Sequence, residues 1–186
     1  ISFSSKISRL QIVAYVSVRI SGGSSKLEEY ARSILKQVLA MGEGAHTTKL
    51  GQERVHIGVE PMLLALAMEF ALKAWFVWDH DRHDPIKTHN LAKLFDALPP
   101  SSQESLNIEF KKRVAPFVPL AGWMDYNIRD ILDHHANAFV EWRYLHEDRD
   151  GGISFDFTTF IATLQLVLDE FGKRYETKEI KPWRVL

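Results

Sequence analysis

The chain has 186 residues, a formal net charge of −1 and no cysteine. That length suits one domain with a core of its own. The balanced charge excludes a domain that coats nucleic acid through its bulk field, so any such contact has to come from a local patch. Without cysteine there are no disulfides and no thiolate metal sites. Hydrophobic residues make up 46% and charged ones 25% of the sequence, a globular profile.

Residues 1–25 read as an N-terminal extension. Its "LQIVAYVSVRI" stretch at 10–20 is rich in β-branched residues and partly alternates, the pattern of a strand. The same stretch imitates a signal peptide, but Arg19 interrupts it and no small-residue cleavage site follows. "SGGSS" at 21–25 is a break. From 26 onward the sequence predicts a single helical domain reaching residue 186. Leu27, Ala31, Ile34, Leu35 and Val38 share the face of a first amphipathic helix that Gly42 closes.

After a polar loop over 43–58, "PMLLALAMEFALKAWFVW" at 61–78 is apolar almost all round. A helix without a polar face belongs at the centre of a bundle. Glu69 and Lys73 are the charged residues inside it, spaced i,i+4 with the glutamate first, the favourable order. No uninterrupted apolar run approaches the ~18 residues of a membrane span. A cytoplasmic protein without membrane contact is the expectation.

"DHDRHDP" at 79–85 ends the central helix. It holds Asp79, His80, Asp81, His83 and Asp84, which read as solvated loop charges rather than a metal site. "KTHNLAKLFDAL" gives a short helix over about 88–98, with His89 near its start as a candidate cap. A polar helix follows at 101–115, opened by a capping-box-like "SSQE". A Pro-containing connection leads to a long helix over 123–147. "DRDGG" breaks the chain, and a last helix runs from 155 to 172 before an extended tail. "HEDRDGGISFDF" mimics a calcium loop but lacks the bidentate glutamate at its end. No metal or cofactor is expected.

On a regular helix over 128–146, Ile128, Ile131, Leu132, Ala138, Phe139 and Trp142 fall on one side, with His135 and His146 in their midst. Arg129 and Arg143 lie on a flank, and His134 at the opposite edge. His135 and His146 read as core residues with hydrogen-bond partners, or as one wall of a groove. Arg143 is placed to pair with Glu147 and to cover Phe139 one turn earlier.

"AMEFALKAWF" at 67–76, "KTHNLAKLFDAL" at 87–98 and "HANAFVEWRYLHE" at 135–147 together resemble the HEPN superfamily, the higher eukaryotes and prokaryotes nucleotide-binding domains. The resemblance spans about residues 55–172. It rests on the order of a buried E-x-x-L-K-A helix, a K-T-H-x-L helix start and a late aromatic-R-Y-x-x-E segment. It implies an all-α up-and-down bundle of five or six helices, often a homodimer and sometimes with a cognate partner protein. It also implies association with nucleotide or RNA, with Glu69, Lys73, Arg143 and His146 as binding candidates. Many members cleave RNA without metal through an Arg followed four to six positions later by a His. "RDILDHH" offers Arg129 with His134 or His135 for those roles, as phosphorane stabiliser and general acid or base. A regular helix sets Arg129 roughly 140° from His134 and about 120° from His135. Three functions therefore remain open: a nucleotide- or RNA-associated domain without catalysis, a metal-independent endoribonuclease, and a non-catalytic dimerisation module.

Overall fold

The apolar run that the sequence places at the centre is a 21-residue helix, Val59–Asp79, with Pro61 in its first turn. The computed structural model describes residues 24–40, 58–82, 84–118, 125–144 and 154–178. Helix α1 covers 24–40. It is followed by α2 (Val59–Asp79), α3 (Leu91–Asp96), α4 (Pro100–Arg113), a 3-10 turn (Ala115–Phe117), α5 (Ile128–His134), α6 (Ala138–Arg143) and α7 (Phe157–Lys178). The fold is all-α, with no strand among the described residues. The expected strand at 10–20, His146, Glu147, the "DRDGG" break and the tail beyond residue 178 lie outside them, while residues 173–178, expected as the start of the extended tail, continue α7.

Helix α2 is the hub, packing chiefly against α6, α7 and α3. Leu64, Met68, Leu72 and Trp75 are buried along it, facing Phe160, Leu164, Val167 and Phe171 of α7 and Leu94 of α3. Leu106 and Phe110 of α4 and Ile128, Ile131 and Leu132 of α5 complete the same core. By length and composition α2 could cross a membrane, and 67% of its apolar window is buried within the fold. The interruptions at Glu69 and Lys73 hid that length when apolar runs alone were counted. The Trp75 indole N–H reaches the Val167 carbonyl at 3.1 Å, so its polar atom is satisfied inside the core. Ser24 Oγ donates to the Ala74 carbonyl and fastens the start of α1 to α2.

Several boundaries differ from the sequence reading. Helix α1 already includes Ser24 and Ser25, the last two residues of the expected extension. Asn90, not His89, caps α3, accepting from the Lys93 N–H. Helix α4 starts on Pro100, and no side chain caps it. Gln103 instead folds back to the carbonyls of Asp96 and Leu98. The expected long helix is two short ones. The Ala136 carbonyl accepts from the Leu91 N–H at 2.9 Å, and Asn90 Nδ2 donates to Asn137 Oδ1 at 3.0 Å. These bonds to the start of α3 turn residues 135–137 out of the helical ladder. Helix α2 ends on Asp81 in the left-handed region, φ 51°, with the Arg82 N–H bonded to the Val77 carbonyl. That is a Schellman-type stop without its usual glycine.

Candidate functional site

The two charges inside α2 meet as their spacing requires. Lys73 Nζ donates to Glu69 Oε1 at 2.5 Å, and the residues are only 9% and 2% exposed. The second carboxylate oxygen, Oε2, lies 2.9 Å from His89 Nδ1. An ionised carboxylate only accepts, so Nδ1 carries the proton, and in the neutral ring Nε2 holds the lone pair. The local turn fixes this imidazole. Thr88 Oγ1 accepts from the Asn90 N–H, and Asn90 caps α3, so the residues on either side of His89 are both anchored. The His89 side chain remains 55% exposed, and its ring lies 5.1 Å from the Phe139 ring at 31°.

Phe139 belongs to α6, and Arg143 lies one turn further along the same face. Arg143 is exposed and covers the Tyr144 ring at 5.5 Å rather than Phe139. Arg143 is the last residue of α6, so its side chain can turn to Tyr144 just beyond the helix instead of back to Phe139. Tyr144 is itself exposed. The Trp142 indole Nε1 is buried without a hydrogen-bond acceptor. Lys87, two residues before His89, is exposed as well. His89 thus joins the buried Glu69–Lys73 pair to Phe139 of α6, a helix that ends in exposed Arg143 and Tyr144, and exposed Lys87 lies two residues before His89. Of the binding candidates, Glu69 and Lys73 form the floor and Arg143 the rim. His89 was missed as a member because it was read as a helix cap. Its place in K-T-H-x-L was the available signal, because Lys73 engages one oxygen of the buried Glu69 and leaves the other for a second donor.

The residues of α5 have other engagements. Arg129 makes a two-pronged ion pair with Asp96, Nε–Oδ1 2.9 Å and Nη2–Oδ2 3.0 Å, and Asp133 lies 3.7 Å away. These carboxylates hold its guanidinium above its ordinary pKa. His134 is exposed. His135 is 2% exposed among the rings of Phe155 and Phe160, and its Nε2 accepts from the Asp156 N–H at 3.4 Å. Burial, helped by neighbouring His134 and opposed by Asp156, pushes its pKa down to about 4. His135 is a neutral core residue. Arg129 and His134 sit five residues apart on α5, a regular helix, and do not share a face.

A second polar network closes the far end of α2. Asp79, its side chain 2% exposed, accepts from Ser102 Oγ at 2.6 Å and from Arg174 Nη2 at 2.7 Å. Arg174 also donates to Ser102 Oγ at 2.8 Å and lies over the Trp75 ring at 5.1 Å. Among the described residues no group of three or more His, Asp and Glu converges to hold a metal ion. No protein-family model matches the chain, and neither a curated protein nor a solved structure matches it significantly.

Proposed function

We propose that this chain is a HEPN-like helical domain that binds nucleotide or RNA at the edge between the start of α3 and α6, without a catalytic role for α5. The observation that carries the reading is the Glu69–Lys73–His89 network. A buried acid and base sit in the hub helix, and their third member opens to solvent beside Phe139, whose helix ends in exposed Arg143 and Tyr144. Exposed aromatic and cationic side chains in one place suit a base and its phosphate: the ring offers a stacking face and the guanidinium a charge-assisted donor. The patch is local, as a chain of net charge −1 requires.

The endoribonuclease alternative would need Arg129 released from Asp96, and a histidine other than the buried His135 on its side of α5. The test is a titration of a fluorescein-labelled single-stranded RNA octamer, and of AMP by calorimetry, against wild type and Arg143→Ala/Tyr144→Ala. Saturable binding weakened at least tenfold by the double substitution supports the reading. An unchanged affinity, or no binding by the wild type, removes it. Incubation with total RNA in EDTA addresses cleavage separately, and loss of RNA that His134→Ala abolishes would restore the nuclease alternative.

Dimerisation is a second reading, supported by a different face. Leu39 on α1 is 41% exposed. Leu39 borders a groove of about 380 Å³ that Leu35, Ala40 and Gln165 also line. Light scattering of wild type and Leu39→Glu tests it: a dimer that the charge dissociates supports this face, and a monomeric wild type rejects it.

A further inference from the structure

We infer that His89 is a proton-coupled phosphate-binding residue, its Nε2 donating as an imidazolium to an anionic phosphate oxygen while Glu69 stabilises the added charge from below. This deepens the binding reading above and rests on it. With Nδ1–H committed to Glu69, the ring has one titrating position left, and no described side chain occupies it. Protonating Nε2 turns an acceptor into a donor that faces the solvent side. The resulting cation is already paired through Nδ1 with a buried carboxylate at 2.9 Å, so it needs no rearrangement to form.

Lys73 is what makes this device different from a simple histidine–carboxylate pair. It pairs with Oε1 while His89 pairs with Oε2. The buried carboxylate therefore keeps a countercharge when the imidazole is neutral, which a buried anion requires. When the imidazole gains a proton, the network as a whole becomes positive, and an anion at Nε2 restores neutrality. Ligand and proton are in this way thermodynamically linked.

The other charged groups on the elements that carry or contact the ring fit an anion. Helix α2 contributes Glu69 and Lys73, which cancel. Helix α6 contributes Glu141 and Arg143, which also cancel in sum, although Arg143 is exposed and Glu141 only half so. The segment carrying His89 adds exposed Lys87 before it and Lys93 after it, with Asp84 further back. The balance is positive on a chain whose total is negative. Phe139 supports one face of the imidazole, which leaves its edge for the ligand. A phosphate group is the shared chemistry of a nucleotide and of an RNA strand, and either source would present it.

The test is calorimetric titration at pH 7 in two buffers of different ionisation enthalpy, with wild type and His89→Gln. An RNA octamer without terminal phosphates is the main probe, since its phosphodiesters do not titrate near neutrality. AMP is the second probe, read for affinity alone. Circular dichroism confirms that His89→Gln is folded. The expected result is net proton uptake on RNA binding by wild type, with uptake abolished and affinity lowered at least fivefold in His89→Gln. Lys87→Ala/Arg143→Ala should lower affinity and leave the uptake per bound ligand unchanged. Tighter AMP binding identifies a terminal phosphate as the source, and tighter RNA binding a backbone phosphate. Binding without proton uptake, or full affinity in His89→Gln, overturns the role of His89 and leaves the binding reading standing. Failure of wild type to bind either probe overturns both.

Discussion

Helix α2 carries two buried carboxylates, and their surroundings differ in one respect. Asp79 is closed: Ser102 and Arg174 satisfy it, and both also bond each other. Glu69 is open: Lys73 satisfies one oxygen from within, and the partner of the other is a half-exposed imidazole. A closed network fixes three helices relative to one another, here α2, α4 and α7, through members that bond one another. An open one holds a titratable ring at the surface in a defined tautomer. The contrast teaches that burial of a charge does not mark a site by itself. What marks it is a partner that faces outward.

Substitutions that separate the two networks sharpen this contrast. The largest stability effect is expected at the closed end. Arg174→Ala leaves the buried Asp79 carboxylate without its cation, which costs about 3 kcal/mol or more. Urea unfolding should show that loss, and RNA affinity should be unchanged in the folded protein. At the open end, replacing both buried charges, Glu69→Leu with Lys73→Met, removes an ion pair rather than orphaning half of one. Stability should then change by less than about 2 kcal/mol in either direction. Ligand affinity should fall at least as far as in His89→Gln, because the ring has lost the acceptor that orients it. A double variant that keeps full affinity breaks the contrast.

His135 provides a buried imidazole of the opposite kind, with no carboxylate hydrogen-bonded to its ring among the described residues. Its folded pKa of about 4 lies below the ordinary value of 6.5. The unfolded chain therefore takes up the proton first as pH falls. Stability tied to this residue is complete above about pH 6.5, declines between 6.5 and 4, and is flat below. The decline amounts to roughly 3 kcal/mol at most, taking about 1.4 kcal/mol per pH unit. Chemical denaturation from pH 7 to pH 4 should show this limb in wild type and a flatter one in His135→Leu. Arg129→Ala should cost under about 1 kcal/mol, since its ion pair with Asp96 is exposed. The smallest effect is a gain: Asp81→Gly relieves the left-handed backbone at the end of α2 and should add several tenths of a kcal/mol, seen as a slightly higher Tm.

Much of the bundle was legible because helices announce themselves through periodicity. The hub helix, the Glu69–Lys73 pair and the burial of His135 all follow from spacing along one chain segment. What spacing does not carry is contact across the chain. The two halves of the expected 123–147 helix share an apolar period, and it is bonds to the start of α3, Leu91 N–H to the Ala136 carbonyl and Asn90 to Asn137, that separate them. His89 lies 20 residues from Glu69, and Arg174 lies 95 from Asp79 by their numbering, so neither contact has a local signature. For Arg129, the competing partner is Asp96 on another helix, which a wheel drawn on α5 alone does not show.

The most direct measurement is the tautomer of His89 in the ligand-free protein, read from long-range proton–nitrogen correlation of nitrogen-15-labelled imidazoles near pH 7.5, with His89→Gln identifying the signal. The account predicts a neutral ring with its proton on Nδ1, hydrogen-bonded to Glu69, and a bare Nε2. A ring protonated on Nε2 with Nδ1 bare, the usual form of a free histidine, could not donate to that carboxylate and would contradict it.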